Sequence, residues 1–273
     1  MKENQDFSLQ FLKLGGSLIT DKSKVHTLRK DVLDRLVEEI AQVFSQYPQR
    51  RLVLGHGSGS FGHVPARRYK TRQGVHTRQQ WRGFVEVWRE AWLLNRLVME
   101  ALHAAGLPAI AFPPSAGVTA EDGNLRRWDL NPLQAALAAG LLPVVYGDVV
   151  FDRLRGGTIF STEDLFAYLA GQLRPSRILL AGIEPGVWAG YPERDKIISA
   201  ITPENISEIE AGLQGASAVD VTGGMASKVR QSLELVGRIP NLQVLIFSGK
   251  EPGTVNANLT GGRSGTLISS SAG

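Results

Sequence analysis

With 273 residues, 30 basic against 26 acidic side chains and a formal charge of +4, the chain is long enough for a substantial core and too mildly basic, with no patterned basic face, to suggest nucleic acid as a partner. It has no cysteine, which removes disulfides, thiolate catalysis and cysteine-ligated zinc together. The polar opening MKENQDFSLQ is no signal peptide and no apolar run approaches the roughly 18 residues of a spanning helix, so a cytoplasmic protein with no membrane partner is expected.

Residues 8–14 (SLQFLKL) predict a strand that runs into a glycine turn, Gly15-Gly16-Ser17. Lys13 sits in that otherwise apolar strand, where an ammonium is costly without an anionic partner. In open α/β folds the carboxyl ends of the strands are where ligands collect. Asp21-Lys22-Ser23-Lys24 reads as a loop, in which Lys22 taken alone is an ordinary surface charge. Residues 30–45 carry Leu33, Leu36, Val37, Ile40, Val43 and Phe44 at helical spacing.

A second strand ends at Leu54 and opens the stretch LGHGSGSFGH, 54–63. Gly55, Gly57, Gly59 and Gly62 leave main-chain N–H groups uncovered, while Ser58, Ser60, His56 and His63 add donors and no acid. Such a turn is built to hold negative charge rather than a metal ion, although a glycine-rich strand-to-helix turn can also be purely structural. Residues 65–82 then bring Arg67, Arg68, Lys70, Arg72, Arg78 and Arg82 in a polar setting, read either as a solvated mobile segment or as a lid over an anionic substrate. A long helix is predicted over 81–105, with Phe84, Val87, Trp88, Ala91, Leu94, Val98 and Leu102 at helical spacing. Phe84, Val85 or Trp88 are the candidates on it to meet an apolar substrate tail.

A short strand is expected at 109–112, a helix capped by Asn131-Pro132 and left at Gly140, and one strand buried on both faces over 142–150. Ser161-Thr162-Glu163-Asp164 caps a helix, its acids answering the dipole. Strand 178–181 turns at Gly182-Ile183-Glu184-Pro185-Gly186, and Thr202-Pro203 begins another helix. In DVTGGMASK (220–228) the pair Gly223-Gly224 precedes a helix. Helical side chains lean toward the N-terminus, so Lys228 would point back at those glycines; a glycine cap with a solvated lysine is the plainer reading. Strands 244–248 and 266–268 close the sheet, and the SSSAG tail is expected to fray. Strands alternate with helices and no linker divides the chain. The expectation is therefore a single-domain α/β protein, a three-layer αβα sandwich around a mainly parallel central sheet.

Three glycine turns at strand ends, each with a lysine or histidine, suggest a site for more than one phosphate group. Neither a Walker loop, nor a dinucleotide fingerprint, nor the protein-kinase signatures fit them. The segments FLKLGGSLITDKS (11–23), HGSGSFGH (56–63), YGDVVFD (146–152), FSTEDLFAYLA (160–170) and DVTGGMASK (220–228) resemble the amino acid kinase superfamily over nearly the whole chain. Within it they resemble the isopentenyl phosphate kinase branch, for which His63 at the end of the glycine loop is the discriminating residue.

That resemblance implies the amino acid kinase fold and an ATP-dependent, Mg²⁺-assisted phosphorylation of isopentenyl phosphate to isopentenyl diphosphate, in isoprenoid biosynthesis by the mevalonate pathway. It also implies a homodimer, with residues 1–170 serving the acceptor and 171–273 the nucleotide. Lys13 would bridge the nucleotide phosphates beside Leu14 and the backbone cradle Gly15, Gly16 and Ser17, and Lys22 would stabilise the transition state. His63 would hold the acceptor phosphate, with Gly57, Ser58 and Thr162 as further substrate contacts. Gly59, Gly182, Gly223 and Lys228 would face ATP. No metal-ligating side chains are implied, because magnesium keeps mostly water and phosphate oxygens.

The family patterns HGGG, SGDD and TDVDG stand here as HGSG, STED and GIEPG, so Ser58, Thr162 and residues 182–186 depart from them. A phosphate acceptor already offers an anionic oxygen, so the chemistry reduces to alignment and charge neutralisation without a base. A kinase for another small anion (fosfomycin, glutamate or a nucleoside monophosphate) is the alternative within the superfamily. A catalytically silent nucleotide-binding regulator, motivated by GIEPG, is the alternative outside enzyme chemistry.

Overall fold

Strand β1 (Gln10–Leu14) is buried along its whole length. It lies inside an eight-stranded sheet of a computed structural model that describes residues 8–189, 196–207 and 224–271. To one side of it run β2 (Leu52–His56), β6 (Leu142–Tyr146) and β3 (Ala109–Ala111). To the other run β9 (Arg177–Gly182), β13 (Gln243–Ser248), β14 (Thr266–Ile268) and β12 (Ala200–Ile201). Every neighbouring pair is parallel except β13 with β14.

The period of two along each strand divides the core between the two faces. Phe11 of β1 faces the helices Thr162–Leu173 and Met225–Arg238, packing with Val53, Phe166, Ile178 and Val244. Leu12 and Leu14 face the helices Lys30–Gln46, Arg78–Ala104 and Thr254–Leu259, packing with Leu36, Leu54, Leu94 and Leu259. Helices therefore cover both faces of a mainly parallel sheet, as the sequence pattern predicts.

Three local differences stand out from the expected elements. The run 142–150 is two strands: β6 stays in the large sheet, and after Gly147 the chain enters β7 (Asp148–Asp152) of a separate four-stranded sheet. That sheet also holds β4 (Val118–Glu121), β5 (Asn124–Trp128) and β8 (Gly156–Phe160). Its β4–β5 hairpin turns at Asp122-Gly123, both with positive φ (51° and 74°), the Asp-Gly signal of a two-residue turn.

Residues 65–82 are not an open loop. They continue the helix Gly59–Tyr69, pass through the 3-10 turn Thr71–Gln73, and enter the Arg78–Ala104 helix through a Thr77/Gln80 capping box. The helix expected to be capped by Asn131 takes Asn131 as its first residue and Leu130 as its cap. Strands β10 (Val187–Ala189) and β11 (Lys196–Ile198) form an antiparallel pair. The helix predicted after Thr202-Pro203 has its first residues at Ile206 and Ser207; its continuation lies outside the described residues. Among the described residues no helix is long and apolar enough to cross a membrane.

One buried carboxylate ties the N-terminal and C-terminal parts of the chain together. Glu39, on the Lys30–Gln46 helix, accepts N–H groups from Gly253 (2.9 Å), Val255 (2.9 Å) and Asn256 (3.1 Å), and pairs with Arg35 at 2.7 Å. Glu39→Ala would leave those donors and a cation without their acceptor, and is expected to cost about 3 kcal/mol. Urea unfolding of the variant against the parent chain measures it.

Candidate functional site

Two glycine turns meet because β1 and β2 are parallel and in register, Leu14 opposite His56. Both strands therefore release their turns at the same edge, and the turns pack backbone against backbone. The Gly15 N–H donates to Ala181 O (2.8 Å) and the Gly57 N–H to Leu14 O (3.0 Å). A Cβ on Gly16 would stand 2.3 Å from the Gly59 nitrogen, and one on Gly57 would stand 2.8 Å from the Gly16 nitrogen. Gly59 has a φ of +52°, and a side chain there would meet Thr20 Oγ1 at 2.1 Å. Only glycine permits this approach.

A cleft opens above that contact, with an empty volume of about 1200 Å³ that includes the space open to solvent. Lys13, Gly15, Gly16, Ser17, Lys22, Gly57, Ser58, His63, Thr162, Gly182 and Lys228 all line it. Eleven residues predicted from distant parts of the sequence thus share one wall system. Two others do not face it: the Leu14 side chain is wholly buried in the core, and Gly59 serves the packing of the two turns. Gly223 lies outside the described residues.

The electrostatics centre on Glu163, which the sequence assigns only to a helix dipole. Lys13 lies on the same face of β1 as Phe11, toward the N-terminus of the Thr162–Leu173 helix, and its ammonium pairs with Glu163. Burial pushes the Glu163 carboxyl up, but the charges of Lys13 and Lys228 outweigh it and hold the group below its ordinary value. An anionic Glu163 therefore fixes Lys13 and attracts Lys228 from the other half of the site. Its neighbour Asp164 closes the capping box with Ser161 and accepts from Arg72 Nη2 at 2.9 Å. Arg72, which also lines the cleft, is held further by Thr158 Oγ1 donating to its carbonyl (3.1 Å). Among the basic residues read as a lid, this one is tied down.

The Thr162 hydroxyl donates to the His56 carbonyl at 2.6 Å, so it fastens the start of the glycine loop to the helix N-terminus. At the other end of the cleft Glu184 accepts from the Trp188 indole N–H at 2.8 Å, so the GIEPG turn does bring a carboxylate to the wall. The apolar end is built by Ala66, Val87, Ala91, Ile159 and Phe160. Phe84, Val85 and Trp88 do not line it: Phe84 packs beside Val87 in a small core with Val75 and Val149, while Val85 and Trp88 are 52% and 38% exposed. Val87 and Ala91, four residues apart, share the cleft-facing stripe, and Phe84 lies on the same stripe one turn earlier, where Val75 and Val149 cover it.

Residues 8–248 match the amino acid kinase family. The chain is 32% identical over 267 residues to the isopentenyl phosphate kinase of Methanocaldococcus jannaschii, covering 95% of this chain and 98% of the relative. It is 34% identical over 255 residues to the isopentenyl phosphate kinase of Haloferax volcanii, covering 91% and 98%. Among solved structures, one described as an X-ray structure of isopentenyl phosphate kinase superposes with a TM-score of 0.80 at 29% identity, over 96% of this chain and all of the other.

His56 yields a test of the site's interior. Its ring stacks on Tyr146 at 5.3 Å, with Nε2 3.2 Å from Asn95 Oδ1 and Nδ1 3.2 Å from Gly57 O. A neutral ring satisfies both neighbours when Nδ1–H donates to Gly57 and the Asn95 amide is turned to present its NH₂ group. Burial pushes the imidazole down to about 4, so between that value and the unfolded value near 6.5 the unfolded chain binds more protons. Stability from this group is present above about pH 6.5 and is lost as pH falls toward 4, by about 3 kcal/mol in all. Unfolding curves between pH 7.5 and 4.5 should therefore show the parent chain losing stability relative to His56→Gln.

Proposed function

The chain belongs to the amino acid kinase family, and from that premise we propose that it transfers the γ-phosphoryl group of ATP to isopentenyl phosphate, giving isopentenyl diphosphate and ADP. The observation that carries this reading is a single cleft whose cationic and glycine-lined centre continues into an apolar end of Ala66, Val87, Ala91 and Ile159. A small phosphate monoester with a branched hydrocarbon tail matches that division.

In this reading an anionic oxygen of the acceptor phosphate attacks the γ-phosphorus, the bond to the β,γ-bridging oxygen breaks, and ADP leaves. No side chain removes a proton, because the nucleophile is already ionised. The work of the protein is to bring two anions together in line and to neutralise the charge on the transferring group. Lys13, on β1 and held by Glu163, and Lys228, in the first turn of the Met225–Arg238 helix, approach the nucleotide phosphates, and the Gly16 and Ser17 N–H groups line the turn beside Lys13. Lys22 reaches the transferring phosphoryl group. His63 donates to the acceptor phosphate beside Ser58 and Gly57, and Gly182 borders the nucleotide.

Magnesium fits this donor set as a passenger of ATP. No cluster of three carboxylates or imidazoles able to hold a bare ion occurs among the described residues, and phosphate oxygens and water supply most of its ligands. The cleft's carboxylates, Glu163 and Glu184, would hold its water shell. When bound it neutralises phosphate charge. The same reading assigns the acceptor to the N-terminal part of the chain, roughly 1–170, and the nucleotide mainly to the remainder. It carries a cytoplasmic homodimer, whose mass light scattering would report.

Coupled measurement of ADP release against isopentenyl phosphate, fosfomycin, glutamate and nucleoside monophosphates tests the substrate directly. Release with isopentenyl phosphate alone is the expected result, and release with another acceptor but not with this one would overturn the proposal. His63→Ala should raise KM for the acceptor at least about tenfold with little change in KM for ATP, and Lys22→Ala should lower kcat by about a hundredfold.

A further inference from the structure

Lys22 is exposed at the tip of a loop, yet phosphoryl transfer needs its ammonium fixed to within a fraction of an ångström. What fixes it is visible in the loop's attachments. Residues 20–28 close on themselves through the Thr20–Leu28 bridge and the Asp21 N–H to Thr27 O bond (2.9 Å). The base of the loop docks on the His63 helix, where Ser60 N–H donates to Thr20 Oγ1 (2.9 Å) and Thr27 N–H donates to Ser60 Oγ (3.3 Å). Those contacts hold the stem. The far side of the loop is held elsewhere, by His26.

His26 takes a left-handed conformation, φ +52°, which costs a non-glycine residue free energy unless its surroundings enforce it. Its ring packs on Phe61, two residues before His63, with centroids 5.5 Å apart. Its Nε2 lies 2.6 Å from Glu90 Oε2. Glu90 is 9% exposed on the long helix, next to Ala91 and three residues from Val87, the two positions that wall the apolar end of the cleft. A carboxylate so deeply placed on an apolar stripe is costly without a partner, and the catalytic reading gives it no task. One imidazole thus joins the loop of Lys22, the helix of His63 and the helix that lines the acceptor tail.

We propose that the His26–Glu90 pair is a positioning clasp that holds Lys22 over the phosphate junction and sets it against the acceptor helix. The inference rests on the phosphotransfer reading of the cleft. The pair touches neither substrate. It acts through Lys22, and its loss leaves nucleotide binding intact while the transfer step slows.

The test is a double-mutant cycle in steady-state kinetics, with thermal melting in parallel. His26→Ala changes a half-exposed side chain and is expected to fold; Glu90→Gln keeps the shape of the buried partner. Each should lower kcat by about tenfold with KM for ATP within about twofold of the parent. In a Lys22→Ala background the same changes should cost less than about twofold more, because the side chain they position is gone. A general structural role would multiply its loss onto Lys22→Ala in full, and that outcome, or a parent-like kcat in His26→Ala, overturns the clasp. Should the parent chain itself release no ADP with isopentenyl phosphate, the substrate assignment fails instead, and the two failures are told apart by that one control.

Discussion

The structure depends on a contact in which no side chain takes part: the Gly15–Ser17 turn lying against Gly57 and Gly59. Parallel pairing of β1 with β2 brings the two turns to one edge, and the missing Cβ atoms let their backbones close to distances that any other residue would block. Lys13, Ser58 and His63 all hang from the segments that adjoin this contact. Their relative positions are therefore set by main-chain geometry, which is stiffer than any arrangement of long flexible side chains could be.

Charge balance supplies the second constraint. A cleft that collects Lys13, Lys22, Arg72 and Lys228 would repel itself without internal acids. Glu163 and Asp164, consecutive at one helix N-terminus, take a cation each: Glu163 takes Lys13, and Asp164 takes Arg72. The helix dipole favours anions at that end, so one short stretch satisfies the helix and orders the site together. His56 adds a neutral spacer beneath the glycine loop, too buried to charge near neutral pH.

Much of this was legible in the residues. Strand ends followed by glycine turns located the cleft, because turn chemistry is local and has few solutions, and the motif resemblance joined the turns into one site. The features that escaped notice are those set by phase or by tertiary partners. Glu163 reads as an ordinary cap acid until β1 places Lys13 on its side of the sheet. Phe84 and Trp88 are apolar at helical spacing, but Phe84 is covered by the small core around Val75 and Trp88 is turned outward, which leaves Val87 and Ala91 to line the cleft. The second sheet escaped because β5 is short, charged and mostly exposed, so alternation is weak there. Its Asp-Gly turn was the available signal.

The place of β1 in the sheet has a consequence for biosynthesis. Its neighbour β9 begins at Arg177, and Lys228 comes later still, so a nascent chain carries Lys13 on a strand with one open flank until β9 has been made. Such long-range parallel pairing forms slowly and leaves hydrogen-bonding edges exposed meanwhile. A protein built this way brings Lys13 and Lys228 to one cleft only after the chain has been made through Lys228, so the cleft closes long after its first strand has emerged.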